Sequence, residues 1–155
     1  MAGLRQNILD NLRTDLLTID GSGDYTNTIS TALKDLRLLK DVTGFDAVYV
    51  GALDDSRKST NETAAEWTLS VACVVYFKAS TDTQNAGTLE TKCESFIEDL
   101  HTLDKSWANA MDSLDADSKK PIQFIELTTV EPYLNTGFDD RGTIYFEIKI
   151  NYIRG

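Results

Sequence analysis

Two stretches of the chain alternate apolar and polar residues over a length that only a β-strand can use. In residues 64–79, Trp67, Leu69, Val71, Cys73, Val75 and Phe77 fall on one side, and Glu66, Thr68, Ser70, Ala72, Val74, Tyr76 and Lys78 on the other. Ile144, Phe146, Ile148, Ile150 and Tyr152 repeat the pattern near the end of the chain. Successive strand side chains point to opposite faces, so each stretch presents one apolar face that must be covered. The second face of residues 64–79 is only mildly polar, which leaves part of it for another subunit to cover.

Two amphipathic helices supply the cover. Leu4, Ile8, Leu12, Leu16 and Ile19 recur at helical spacing, and Gly21 and Gly23 then stop the helix. Leu89, Cys93, Phe96, Ile97, Leu100 and Leu103 form a second stripe opposite Glu90, Glu94, Glu98 and Asp99. Asp82 is its N-cap, Gly87 costs its first turns about 1 kcal/mol, and Trp107, Met111 and Leu114 continue it as a short irregular helix.

The Thr-rich start of residues 27–35 favours a strand there, and residues 45–51 read as a short strand bounded by Gly44 and Gly51. Residues 53–63 read as a polar loop or hairpin arm, Pro121 opens a strand through Val130, and residues 133–142 form a second polar loop. The resulting fold class is α+β. It is a single domain over residues 1–155, with a mixed, mainly antiparallel sheet and the two helices packed on one face.

Fifteen basic residues against 25 acidic ones give a net charge of −10, and Arg57-Lys58 and Lys119-Lys120 are the only adjacent basic pairs. Gripping nucleic acid requires clustered cations against phosphate, so tight DNA binding is not expected. No apolar run is long enough to span a bilayer, and the N-terminus has no secretory pattern. The chain is read as soluble, made in the cytoplasm, and away from membranes. Cys73 and Cys93 lie on inward faces and read as buried thiols in a reducing compartment.

The motifs of common chemistries fail one by one. Asp115-Ala116-Asp117 resembles a calcium loop, with Glu126 at its twelfth position, but Lys119 and Lys120 stand where an oxygen ligand and a glycine are required. Gly21-Ser22-Gly23 follows no strand, so it is no dinucleotide fingerprint, and no phosphate-binding GxxxxGK[ST] is present. His101, the only histidine, sits beside the acidic face of the second helix and reads as a surface residue. Asn61-Glu62-Thr63 matches a glycosylation acceptor that lacks a secretory route. Asp54-Asp55 and Asp139-Asp140 would have to be pushed apart in pKa by burial to act as an acid/base pair, and polar loops do not bury them. No catalytic residue, cofactor or metal is expected.

The order of elements, together with Leu4-Arg5-Gln6-Asn7-Ile8-Leu9-Asp10, the stretch Asp41-Val42-Thr43-Gly44-Phe45-Asp46-Ala47-Val48-Tyr49-Val50-Gly51, Trp67-Thr68-Leu69-Ser70-Val71 and Phe96-Ile97-Glu98-Asp99-Leu100, resembles the tail terminator (tail completion) proteins of long-tailed bacteriophages. The resemblance implies a non-enzymatic virion protein at the head-proximal end of the tail. It would form a ring, commonly a homohexamer, that caps the tail tube, ends its polymerisation and presents the docking surface for the head or connector. Its implied partners are itself, the tail tube protein and the head-tail connector or stopper protein, with DNA passing through the lumen unbound.

A ring needs two different patches of one subunit to meet. The candidates are the second face of residues 64–79 and the exposed edge of the last strand. For contacts or the lumen wall the candidates are Asp54, Asp55, Arg57, Lys58, Asp139, Asp140 and Arg141 in the two polar loops. Screening confines such charges to about 8 Å, so only carboxylates on the wall itself would repel passing phosphates. Three alternatives stay open: another connector, stopper or tube component, a small enzyme built on the loop carboxylates, and a monomeric ligand-binding module.

Overall fold

The computed structural model describes residues 4–57, 65–79, 86–116, 122–138 and 140–154. Its elements follow the order α1 (Leu4–Leu17), β1 (Thr31–Leu33), a single 3-10 turn (Leu39–Asp41), β2 (Ala47–Arg57), β3 (Ala65–Lys78), α2 (Ala86–Ala116), β4 (Ile122–Tyr133) and β5 (Arg141–Arg154). The five strands form one sheet in the order β1-β2-β3-β5-β4. Only β1 pairs in parallel, with β2, and the other three pairings are antiparallel. The fold is α+β, as its alternating and helical stripes require.

Both helices lie on one face of the sheet. Val48 and Val50 of β2, Leu69 to Phe77 at alternate positions of β3, and Ile144 to Tyr152 at alternate positions of β5 are all fully buried. They join Ile8, Leu12 and Leu16 of α1 and Leu89, Cys93, Phe96, Leu100, Leu103 and Trp107 of α2 in one cluster. Phe96 packs its ring against Phe77 at 5.6 Å between centroids, an angled contact worth more than its area alone. The Trp107 indole donates to Asp15 at 3.1 Å and so ties the two helices together.

Four boundaries differ from the sequence expectation. The strand expected over residues 27–35 is reduced to Thr31–Leu33. Its first backbone donors are taken elsewhere: the fully buried Asp99 carboxylate of α2 accepts from the N–H groups of Thr26 and Asn27, both at 2.9 Å. β2 does not stop at Gly51 but runs six residues further, to Arg57. The Tyr49 ring lies over Gly51, where a Cβ would come within 2.0 Å of the Tyr49 hydroxyl, so this glycine marks a close approach inside a strand. A β-bulge between Ala52 and Asp54 breaks the alternation that would have revealed the rest. Helix α2 runs unbroken to Ala116, so Asp115 lies in a helix rather than an acidic turn. β4 continues past Val130 to Tyr133.

Two expected interfaces are also corrected. β5 is an interior strand, not an edge: all 14 of its residues pair with β3 on one side, and residues 143–152 pair with β4 on the other. The second face of β3 is partly covered by its own chain. Val74 and Tyr76 pack with Leu33, Leu39, Val42, Phe45, Ala47 and Tyr49 in a separate small cluster. The Asp82 cap, Lys58 and Asp139 lie outside the described residues. Among the described residues no helix is long and apolar enough to cross a membrane.

Candidate functional site

The expected site residues divide between opposite ends of the sheet. Asp54, Asp55 and Arg57 lie on the last turns of β2, in register with Ser70, Leu69 and Trp67 of β3. Arg141 begins β5 opposite Lys78 at the other end of β3. From Trp67 to Lys78 is a span of roughly 36 Å at ~3.3 Å per residue. Asp54-Asp55 and Asp140 therefore do not meet as a carboxylate pair.

Each end has its own electrostatics. Asp54 and Arg57 are exposed on a strand, not in the expected loop. Asp55 is half-buried and turns toward the helix side, where one carboxylate oxygen accepts from the Tyr152 hydroxyl at 2.6 Å. Its other oxygen is buried without a hydrogen-bond partner. At the far end Asp140 lies 3.8 Å from the Lys78 ammonium and 3.9 Å from the Arg141 guanidinium. That guanidinium also sits over the rings of Phe45 and Phe138, at 5.2 and 4.7 Å. Nearby the buried Asp46 holds the Lys92 ammonium at 2.9 Å and accepts from the Lys78 N–H at 3.1 Å.

The same end carries a feature that motif reasoning did not single out. A cleft of about 440 Å³ opens on the face away from the helices, lined by Leu36, Arg37, Leu38, Leu39, Val74, Tyr76, Tyr133, Thr136 and Thr143. Leu36, Leu38 and Tyr133 are 65%, 64% and 58% exposed, an unusual density of apolar surface around one opening. Its geometry is set by Tyr76. The phenol donates to the Arg37 carbonyl at 2.7 Å and accepts from the Arg37 N–H at 3.2 Å, which holds residues 34–38 over the sheet. Burial pushes the Tyr76 hydroxyl above its ordinary value, so it remains a donor throughout the neutral range.

A second, smaller groove of about 280 Å³ lies between α2 and β4. Its walls are His101, Asp104, Lys105, Leu127, Thr128 and Val130. His101 is exposed on the helix surface, as its position in the helical pattern predicts. Burial raises the thiol pKa of both Cys73 and Cys93, which sit reduced in the core as weakly nucleophilic thiols. Among the described residues no group of three or more His, Cys, Asp or Glu side chains is arranged to hold a metal ion.

No family model matches this chain, and no curated protein matches it.

Proposed function

We propose that this chain is a structural subunit that self-associates into a ring, of the tail terminator type, capping a phage tail tube and presenting the docking surface for the head or connector. The observation that carries the reading is the unequal covering of the sheet. Both helices pack on one face, while the other face exposes Leu36, Leu38 and Tyr133 around an apolar cleft. Contiguous exposed apolar surface on a folded domain marks contact with another protein. The layout of helix, strands, helix and two closing strands, on which the resemblance rests, is also the layout of the fold. The net charge of −10 fits a lumen that DNA crosses without adhering.

Purified protein mixed with assembling tube subunits tests this reading. The expected result is tubes of limited length with the protein at one end, and a native mass corresponding to a closed ring of about six copies. Protein that stays solitary at every concentration and leaves tube length unchanged overturns it. Protein that polymerises into tubes by itself would instead be a tube component.

A further inference from the structure

Among the described residues, each of the sheet's two outer edges is partly covered and partly open. β1 covers β2 only from Ala47 to Tyr49. Just beyond, the Arg13 guanidinium of α1 donates to the Val50 carbonyl at 2.9 Å. On the opposite edge the Leu127 N–H of β4 donates to the Asp104 carboxylate of α2 at 2.9 Å, and Pro132 has no N–H to offer. Among the described residues nothing pairs with the outer edge of β2 at Asp55 and Arg57, or with that of β4 at Ile125.

The backbone direction at these positions follows from the register. Residues of an antiparallel strand alternate between turning their N–H and C=O toward one neighbour and away from it. Carried across the sheet from the outward Val50 carbonyl, the alternation turns Asp55 and Arg57 outward on β2, and Ile125 and Leu127 outward on β4. The Asp104 contact to Leu127 checks that assignment independently. Asp55, Leu69, Ile150 and Ile125 then form one rung, with open backbone groups at both of its ends. Three successive antiparallel pairings also make β2 and β4 run in opposite directions. A copy rotated about an axis along the strands therefore brings its β4 beside the next copy's β2 as an antiparallel neighbour.

Side chains in the two open halves are complementary. Leu53 and Phe124 are exposed apolar residues within them. The half-buried Asp55 carboxylate lies on the helix side of the β2 edge. The exposed Lys105 and His101 lie on α2 beside the β4 edge.

We infer that the open half of the β2 edge is the docking site for the β4 edge of a second copy, joined at Asp55 and Ile125, with Lys105 of one copy supplying a cation to the other's Asp55. The inference rests on the self-association reading and gives it a specific contact. Asp104 limits the ladder, because it occupies the next outward N–H. The same register sets Asp54 opposite Glu126, a like-charge pair that weakens the joint, offset by Lys149 beside Glu126.

At this joint Ser56 faces Phe124 as a non-hydrogen-bonded pair with a Cα separation of ~4.5 Å, inside the range that a disulfide spans. The test is a chain carrying both Ser56→Cys and Phe124→Cys, oxidised and run without reductant. The expected result is a ladder of linked multimers that ends at one closed size, with neither single variant linking. Lys105→Glu should cut the linked yield several-fold, and Glu126→Gln should raise it. Oligomers of the same native mass that never link, or a single variant that links to itself, overturn the edge joint and leave self-association standing. A solitary protein at every concentration, with or without tubes, removes both.

Discussion

The two faces of the sheet are built to different standards of closure. On the helix side, alternate residues of β3 and β5 are sealed without exception from Leu69 to Phe77 and from Ile144 to Tyr152. On the other side, residues 33–45 cover only one end, and the margin of that cover exposes Leu36 and Leu38. The difference shows that the two faces do not contribute equally to the core. The helix side supplies the burial that holds the chain folded. The open side leaves apolar surface that the fold does not bury, which on the proposed reading is free to be covered by association.

Substitutions on each side should therefore have different readouts. The largest loss of stability is expected for Phe96→Ala, which empties a fully buried site against Phe77. A cost of about 3–5 kcal/mol in urea unfolding is expected, and a cost below 1 kcal/mol would mean that α2 does not hold the sheet. Asp99→Ala comes next. It strands the N–H groups of Thr26 and Asn27 and removes one of the two acceptors of the Asn27 side-chain amide, and should cost about 3 kcal/mol by the same measurement. Gly142→Ala follows at about 1–3 kcal/mol, because the new methyl would sit 2.6 Å from the buried Phe77 ring.

A smaller effect concerns pH. Burial raises both thiols above their ordinary 9.0, so the fold keeps them protonated while the unfolded chain loses those protons above that pH. This contribution to stability is complete below about pH 9 and shrinks as the pH rises further. The urea midpoint should fall more steeply above that pH in the parent chain than in a Cys73→Ala, Cys93→Ala variant. The smallest stability change belongs to the open side. Leu36→Ser with Leu38→Ser should stay within about 0.5 kcal/mol of the parent, yet reduce binding to the tube or connector several-fold in co-sedimentation. Unchanged binding would remove the cleft from the contact surface.

The elements with an unbroken period were legible in the sequence. β3, β5 and the stripe of α2 show it, because nothing interrupts their alternation or their helical spacing. The extension of β2 was hidden by one inserted residue at the Ala52–Asp54 bulge, which shifts the pattern out of phase. The shortening of β1 was hidden because its competitor, Asp99, lies more than 60 residues away and presents itself only once α2 is docked. The edge order escaped for a similar reason, since two bulges break the alternation of β4 and only pairing decides which strand lies outside. The cleft draws on Leu36–Leu39, Val74 and Tyr133, residues that share no motif. An apolar run such as Leu38-Leu39 beside charged neighbours was its only local signal. The two polar stretches looked alike in composition, and the antiparallel course of the strands placed residues 54–57 and 140–141 at opposite ends.

The hold of Tyr76 on both peptide groups of Arg37 has a kinetic consequence. A surface excursion normally trades its amide hydrogens with solvent at close to free-peptide speed, but the Arg37 amide is fastened to a phenol rooted in a strand. Deuterium should therefore enter that single position slowly while its neighbours on either side fill fast, and Tyr76→Phe should erase the contrast.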